Sequence, residues 1–244
     1  MSASVAAFDG YEQVLVPGSA AVAWQDPALL RLASLQATRR AVLFVRAAGD
    51  PLEPPDLADW FTERGFHFYV VGLGRARRIG RLWPVRAGRG PTRPSARWAW
   101  LRARVGGRVP AAALAGLDDA CAHLRQAEGM AHVIVAAQGR GARVAALWSA
   151  RQPTASALVL IQPDLPARPA RRLSIACPVL VVTGRDRPAR WRLRGHVTWL
   201  ELPASGRNDG SPAPVPLAGR QSFFTELGRW LGAYMYGQFR DQLL

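Results

Sequence analysis

Apolar runs alternate along the chain with amphipathic segments, and this alternation predicts strands that are separated by helices. The runs at residues 41–46 (AVLFVR) and 178–183 (PVLVVT) are typical of parallel strands that are covered on both faces. The predicted strands are 11–17, 20–25, 41–46, 66–73, 133–136, 157–162, 178–183 and 196–202. The predicted helices are 55–65, 111–128, the segment that follows Gly141 up to residue 150, and 221–236. We therefore expect an α/β fold, namely a doubly wound, mostly parallel sheet of about eight strands with helices on both faces.

Residues 74–110 depart from this alternation. Eleven arginines and three tryptophans occur there among prolines and glycines, without a single acidic residue. We expect a long, mostly irregular excursion from a single domain that spans residues 1–244. Arginine neutralises phosphates and tryptophan stacks on bases, so nucleic-acid binding through this excursion is one alternative function. No RNP, KH or helix-turn-helix signature accompanies it, which disfavours that alternative.

The basic charge is carried entirely by arginine. All 32 basic residues are arginine, and the formal net charge is +15. Such a charge attracts anionic surfaces non-specifically. Arginine, alanine, glycine and proline also accumulate together in coding sequence that is rich in G and C, so compositional drift is an alternative origin of the charge.

Several classes of protein are disfavoured by composition. No stretch approaches 18 consecutive apolar residues, so no membrane span is expected. The first residues lack the basic start and apolar region of a secretion signal, which predicts a cytoplasmic protein. The two cysteines and four histidines show no metal-binding spacing, so we expect neither a metal nor a cofactor.

A glycine-rich corner follows the apolar run at 133–136. The sequence there is Ala137-Gln138-Gly139-Arg140-Gly141, and a helix-favouring segment begins at once. Strand, tight turn and helix in this order place the corner at the carboxyl end of a strand, where ligands bind in such folds.

Three segments of the chain resemble α/β-hydrolases of the monoacylglycerol-lipase and serine aminopeptidase S33 kind. Residues 39–81 resemble the strand, oxyanion loop, helix and strand at the start of the family fold, and residues 117–151 resemble its nucleophile elbow with both flanking helices. Residues 177–188 resemble the strand whose following loop carries the catalytic acid. The resemblance implies an α/β-hydrolase fold and an ancestry among ester or peptide hydrolases, in which the elbow reads G-x-S-x-G.

The resemblance also assigns family positions to residues of this chain. The nucleophile position is Gly139, the acid position is Asp186 or Arg187, and the base position is Arg207. Glycine has no hydroxyl, and arginine stays protonated and cannot act as a base. The resemblance therefore implies a hydrolase-like protein that cannot follow the acyl-enzyme mechanism.

Two other functions stay open. An active hydrolase with a displaced triad would have to use residues such as Ser149, Ser156, Asp164 or His196. A binding module would instead hold a small anionic or acyl ligand at the strand ends. The candidate anion-binding residues, which include the family's oxyanion positions, are Arg46, Ala47, Arg140, Gly141 and Arg207. Only residues 163–177 separate two predicted strands where the family inserts a lid, so we expect the lid to be minimal or absent.

Overall fold

The computed structural model describes residues 10–15, 28–47, 55–73, 109, 111–163, 173–183, 193–202 and 217–241. The strands are β1 (Glu12–Leu15), β2 (Ala28–Leu32), β3 (Arg40–Ala47), β4 (His67–Leu73), β5 (His132–Gln138), β6 (Ala157–Ile161), β7 (Leu173–Ser174), β8 (Val179–Thr183), β9 (Leu193–Arg194) and β10 (Val197–Glu201). The helices are α1 (Pro55–Glu63), α2 (Ala111–Gln126), α3 (Gly139–Ser149) and α4 (Leu217–Asp241).

Eight of the strands form one sheet, in the order β1-β2-β4-β3-β5-β6-β8-β10. The six strands from β4 to β10 in that order pair in parallel. Strands β1 and β2 add to one edge in antiparallel pairings. This topology confirms the predicted α/β fold with a mostly parallel sheet of eight strands.

The core is divided by the sheet into two apolar clusters. In β3, Leu43 and Val45 belong to the cluster that contains the buried residues of α2 and α3. Val42 and Phe44 point to the other face, into the cluster that contains residues of α1 and α4. Because successive side chains of a strand alternate between faces, a strand that is covered on both sides must be apolar throughout. The prediction of helices on both faces is therefore confirmed.

Strand β2 is an element that the hydrophobic pattern did not predict. The segment between the predicted strands 20–25 and 41–46 contains no predicted element, but Ala28–Leu32 pairs with both β1 and β4. Arg31 interrupts the apolar run, and its guanidinium lies 3.2 Å from Glu128 and 3.6 Å from Glu12. A partly buried arginine is tolerated in a strand when carboxylates pair with it, and the local pattern cannot reveal partners that distant in sequence.

Other differences from the prediction concern boundaries. Helix α4 runs over Leu217–Asp241 rather than 221–236. The two-residue strands β7 and β9 form a separate parallel pair that no pattern indicated. The strand expected at 20–25 lies outside the described residues, as does the excursion at 74–110 apart from Val109. Among the helices that the structure describes, none is long and apolar enough to cross a membrane.

A hydrogen bond between side chains joins the two helices on one face of the sheet. The indole N–H of Trp148 in α3 donates to Oδ1 of Asp118 in α2, over 2.7 Å. Trp148 is among the largest fully buried side chains. Since a buried indole N–H needs an acceptor, this hydrogen bond orients α3 against α2.

Replacement of Asp118 by alanine is expected to destabilise the protein by about 1–3 kcal/mol, because it leaves the buried indole N–H without an acceptor. The free energy of unfolding in urea measures this loss. Asp119→Ala is the matched control, since Asp119 is the adjacent half-buried carboxylate of the same helix. Equal destabilisation by both substitutions would contradict the assigned role of Asp118.

Candidate functional site

The corner between β5 and α3 is a tight strand-to-helix turn at the carboxyl end of a central strand. Gln138 ends β5 in an extended conformation, with φ −120° and ψ 152°, and serves as the N-cap of α3. Gly139, the first residue of the helix, has φ +57°. This left-handed conformation costs glycine little and other residues more. The nucleophile position of the resemblance therefore lies at the bend itself.

The second glycine of the corner is required by close packing. A Cβ atom on Gly141 would overlap the carbonyl oxygen of Val45 in β3. Gly141 is buried, and the next residue, Ala142, is fully buried as well. The first turn of α3 thus packs directly on the backbone of β3, which no side chain at position 141 would allow.

Four of the predicted anion-binding residues meet at this corner. Val45 is paired with Ala137 across β3 and β5, so Arg46 and Ala47 extend β3 alongside the bend. Arg140 and Gly141 lie in the first turn of α3. Arg46, Ala47 and Arg140 are half-buried. Asp186, Arg187, Arg207 and Asp164 lie outside the described residues, so their placement relative to the corner stays a prediction.

The electrostatics of the corner favour an anion. Helix α3 has no acidic residue in its first turn, and its N-cap makes no side-chain hydrogen bond to the helix. The N-terminal N–H groups of a helix carry partial positive charge, which Arg140 and Arg143 reinforce here. A carboxylate or phosphate is the kind of group that such a helix end stabilises.

Two residues at the carboxyl ends of β6 and β8 were not predicted from the sequence to be part of the site. Gln162 follows β6 with φ +42°, a backbone strain that is unusual for a residue other than glycine and is often found at functional sites. Its backbone N–H donates to the carbonyl of Val182 over 2.7 Å. Thr183, the last residue of β8, is buried, and its hydroxyl has no hydrogen-bond partner among the residues that the structure describes. The apolar runs that precede both residues gave no signal of either feature.

The histidines lie at the opposite end of the sheet, where the parallel strands begin. The sequence has four histidines, and all four fall in described residues. His67 and His132 are the first residues of β4 and β5, and the carbonyl of His196 accepts a hydrogen bond from Val179, the first residue of β8. His123 lies in the last turn of α2, shortly before β5 begins. Each of them is therefore at the amino end of the parallel strands, whereas the corner is at the carboxyl end.

The alternative nucleophiles are equally displaced from the corner. Ser149 is the buried last residue of α3, and within the described part of the chain its hydroxyl has no hydrogen-bond partner. Ser156 precedes β6, and its hydroxyl accepts the backbone N–H of Val133 over 3.2 Å. Burial raises the pKa of Cys121 and that of Cys177, the latter to about 11, so neither thiol is an activated nucleophile. No cluster of metal-ligating side chains occurs within the described part of the chain.

Comparison with known proteins identifies the fold. No family model matches the chain, and no curated protein matches it. A dienelactone hydrolase from Anabaena variabilis superposes with a TM-score of 0.58 at 16% identity, over 92% of this chain and 99% of that one. A candidate dienelactone hydrolase from Klebsiella pneumoniae gives 0.59 at 15% identity, over 91% and 98%. A cold-adapted esterase from an Arctic intertidal metagenomic library gives 0.53 at 14% identity, over 83% and 86%. The chain therefore has the α/β-hydrolase fold.

Replacement of Gly141 by alanine is expected to destabilise the protein by about 1–3 kcal/mol, because the new methyl group overlaps the β3 backbone and α3 must shift. Chemical denaturation followed by circular dichroism measures the change. Gly72→Ala is the matched control, since a Cβ there meets nothing within 4 Å and Gly72 is exposed in β4. A Gly141→Ala variant as stable as the control would show that α3 does not depend on this close approach.

Proposed function

We propose that this chain is a protein of the α/β-hydrolase fold that has no hydrolase activity of the serine type. The observation that carries the proposal is the presence of Gly139 at the bend between β5 and α3. Glycine cannot supply the oxygen that would attack an ester or amide carbonyl. The corner thus preserves the backbone of a nucleophile elbow without its nucleophile.

The placement of the histidines supports the same proposal. Serine attack needs an imidazole within hydrogen-bond reach of the hydroxyl, and the four histidines of the chain lie at the amino ends of strands or in the last turn of α2. The family's base position is Arg207, which remains protonated at any working pH. The positions of all four histidines therefore disfavour a displaced triad at the corner that uses histidine as its base.

We infer an origin among lipase-like and S33-like serine hydrolases from the segments 39–81, 117–151 and 177–188. The similar solved structures include dienelactone hydrolases and an esterase, which belong to the same fold at low identity. Loss of the nucleophile and base in a chain that keeps the fold is what an inactive descendant of such enzymes would show.

A second candidate function is binding of a small anionic or acyl ligand at the corner. The observation that favours it is the start of α3. Its N-cap makes no side-chain hydrogen bond, its first turn contains Arg140 and no acid, and Arg143 follows in the next turn. A ligand carboxylate or phosphate there would interact with the helix dipole and with Arg140. Non-specific attraction by the net charge of +15 is the competing explanation for any anion binding.

Wild-type protein is expected to hydrolyse short p-nitrophenyl esters no faster than buffer does. The double variant Gly139→Ser, Arg207→His restores a hydroxyl and an imidazole to the family positions. The variant Gly139→Ala, Arg207→His is its control, because it has the same backbone strain without the hydroxyl. Wild-type turnover well above that of the alanine control, measured by release of p-nitrophenolate, would overturn the inactive assignment.

Ligand binding at the corner is expected to raise the thermal midpoint at low salt when phosphate, a nucleotide or a fatty acid is added, because only the folded state binds it. Arg140→Gln should reduce the shift. Arg151→Gln is the control for net charge, since Arg151 lies beyond the far end of α3 and is exposed. A midpoint that none of the three ligands changes, or equal losses in both variants, would contradict a site at the corner.

A further inference from the structure

The loop between β2 and β3, residues 33–39, lies beside His67 at the amino end of the sheet. Leu35 is fully exposed at 104% of its reference area, and Gln36 and Ala37 are exposed too. The loop and His67 together line a cavity of about 620 Å³. Because the side chain of Leu35 is in solvent rather than in the core, the loop is held in position by polar contacts.

His67 supplies one of these contacts, near the start of the loop. Its Nδ1 accepts a hydrogen bond from the backbone N–H of Ser34 over 3.1 Å. The backbone of Thr38, near the other end of the loop, favours the protonated ring and so raises the pKa of His67. The Ser34 hydroxyl donates to the carbonyl of Thr62 in α1 over 3.0 Å, and Thr38 Oγ1 accepts from the backbone N–H of Arg40 over 3.2 Å.

The contact with Ser34 exists in only one protonation state of the ring. An imidazole nitrogen accepts a hydrogen bond when it has no proton, whereas both nitrogens of an imidazolium are donors. Protonation of Nδ1 would therefore replace the bond with two opposed N–H groups. We propose that protonation of His67 releases the Ser34 end of the 33–39 loop and widens the cavity that the loop lines. The Arg39 end stays in place, because its carbonyl accepts hydrogen bonds from the backbone N–H groups of Ala131 and His132.

The charged groups around His67 come from three directions. Burial of the ring, and after it the positive charge of Arg31 in β2, hold the pKa of His67 below its ordinary value of 6.5. The carboxylate of Glu128, which follows α2, opposes this shift, but it is already paired with Arg31 at 3.2 Å. Within the loop and β3, Arg39 lines the cavity and the Nε of Arg40 donates to Thr38 Oγ1 over 3.2 Å.

The direction of the pH effect follows from the lowered pKa. The unfolded or opened form binds a proton more readily than the closed form, because its histidine has the higher pKa. The closed loop is therefore fully favoured above about pH 6.5 and loses stability as the pH falls through the lowered pKa of His67.

Hydrogen exchange of the Ser34 amide tests the proposal in the full-length protein. Protection of this amide, corrected for the intrinsic effect of pH on exchange, is expected to fall about tenfold between about pH 7.5 and about pH 5, which corresponds to the loss of one hydrogen bond. The fall should follow the titration of the His67 ring, recorded by NMR of the imidazole nitrogens. Constant protection through that titration would overturn the proposal.

Two variants and one spectrum separate the role of His67 from general acid destabilisation. In His67→Gln, Ser34 protection should no longer depend on pH after the intrinsic correction. His132→Gln is the matched control, since His132 begins a nearby strand, β5, and burial also lowers its pKa. Its backbone N–H donates to the carbonyl of Arg39, a bond that the variant keeps, and no hydrogen bond from its ring to the loop is seen among the described residues. It should keep the wild-type response. In wild-type protein at neutral pH, a proton on Nδ1 rather than Nε2 would contradict the proposal independently of any variant.

Discussion

The close approach of α3 to the backbone of β3 is the constraint on which the rest of the structure depends. Gly141 lies against the carbonyl of Val45, and this contact fixes the angle at which the chain leaves β5. The same angle directs α3 over β3, β5 and β6, where its buried face completes one of the two apolar clusters. A corner this tight requires Gly139 or a strained residue at the bend, because the backbone there is left-handed. Fold and candidate site thus share one geometric requirement.

Glycine at the bend has opposite consequences for stability and for chemistry. A serine in the same conformation would carry backbone strain of the order of 1 kcal/mol or more, which active sites commonly retain because the strain exposes a reactive group. Gly139 adopts φ +57° without that strain. In a protein without hydrolase activity, as proposed above, glycine would be the residue that best preserves the corner, and the packing at Gly141 would not depend on the chemistry. The proposed inactive descendant would therefore keep the fold without the nucleophile.

Most of the sheet could be predicted from the sequence, because strands that are buried on both faces are apolar throughout. Strands β3, β5, β6 and β8 were predicted within about two residues, as is usual for strongly patterned elements. Strand β2 was missed because Arg31 is paired with Glu12 and Glu128, which are remote in sequence. At the site, glycine at the bend was evident from the motif spacing. The strained backbone of Gln162 and the Thr183 hydroxyl, which has no partner in the described ranges, depend instead on how strand ends meet. Tertiary contacts of this kind leave no local pattern.

The two ends of the parallel strands carry different charged groups, with arginines at the carboxyl ends and histidines at the amino ends. The corner presents a helix N-terminus and arginines, groups that hold a fixed positive charge across the physiological range. The amino ends present His67 and His132, whose pKa values burial lowers from 6.5. Arginines with a fixed positive charge stabilise an anion but transfer no proton. Imidazoles that titrate near neutral pH respond to a change in pH. In serine hydrolysis both properties must meet at one place. Here the length of the strands lies between them, so the proposed ligand site at the corner and the proposed acid response of the loop are at opposite ends of the sheet.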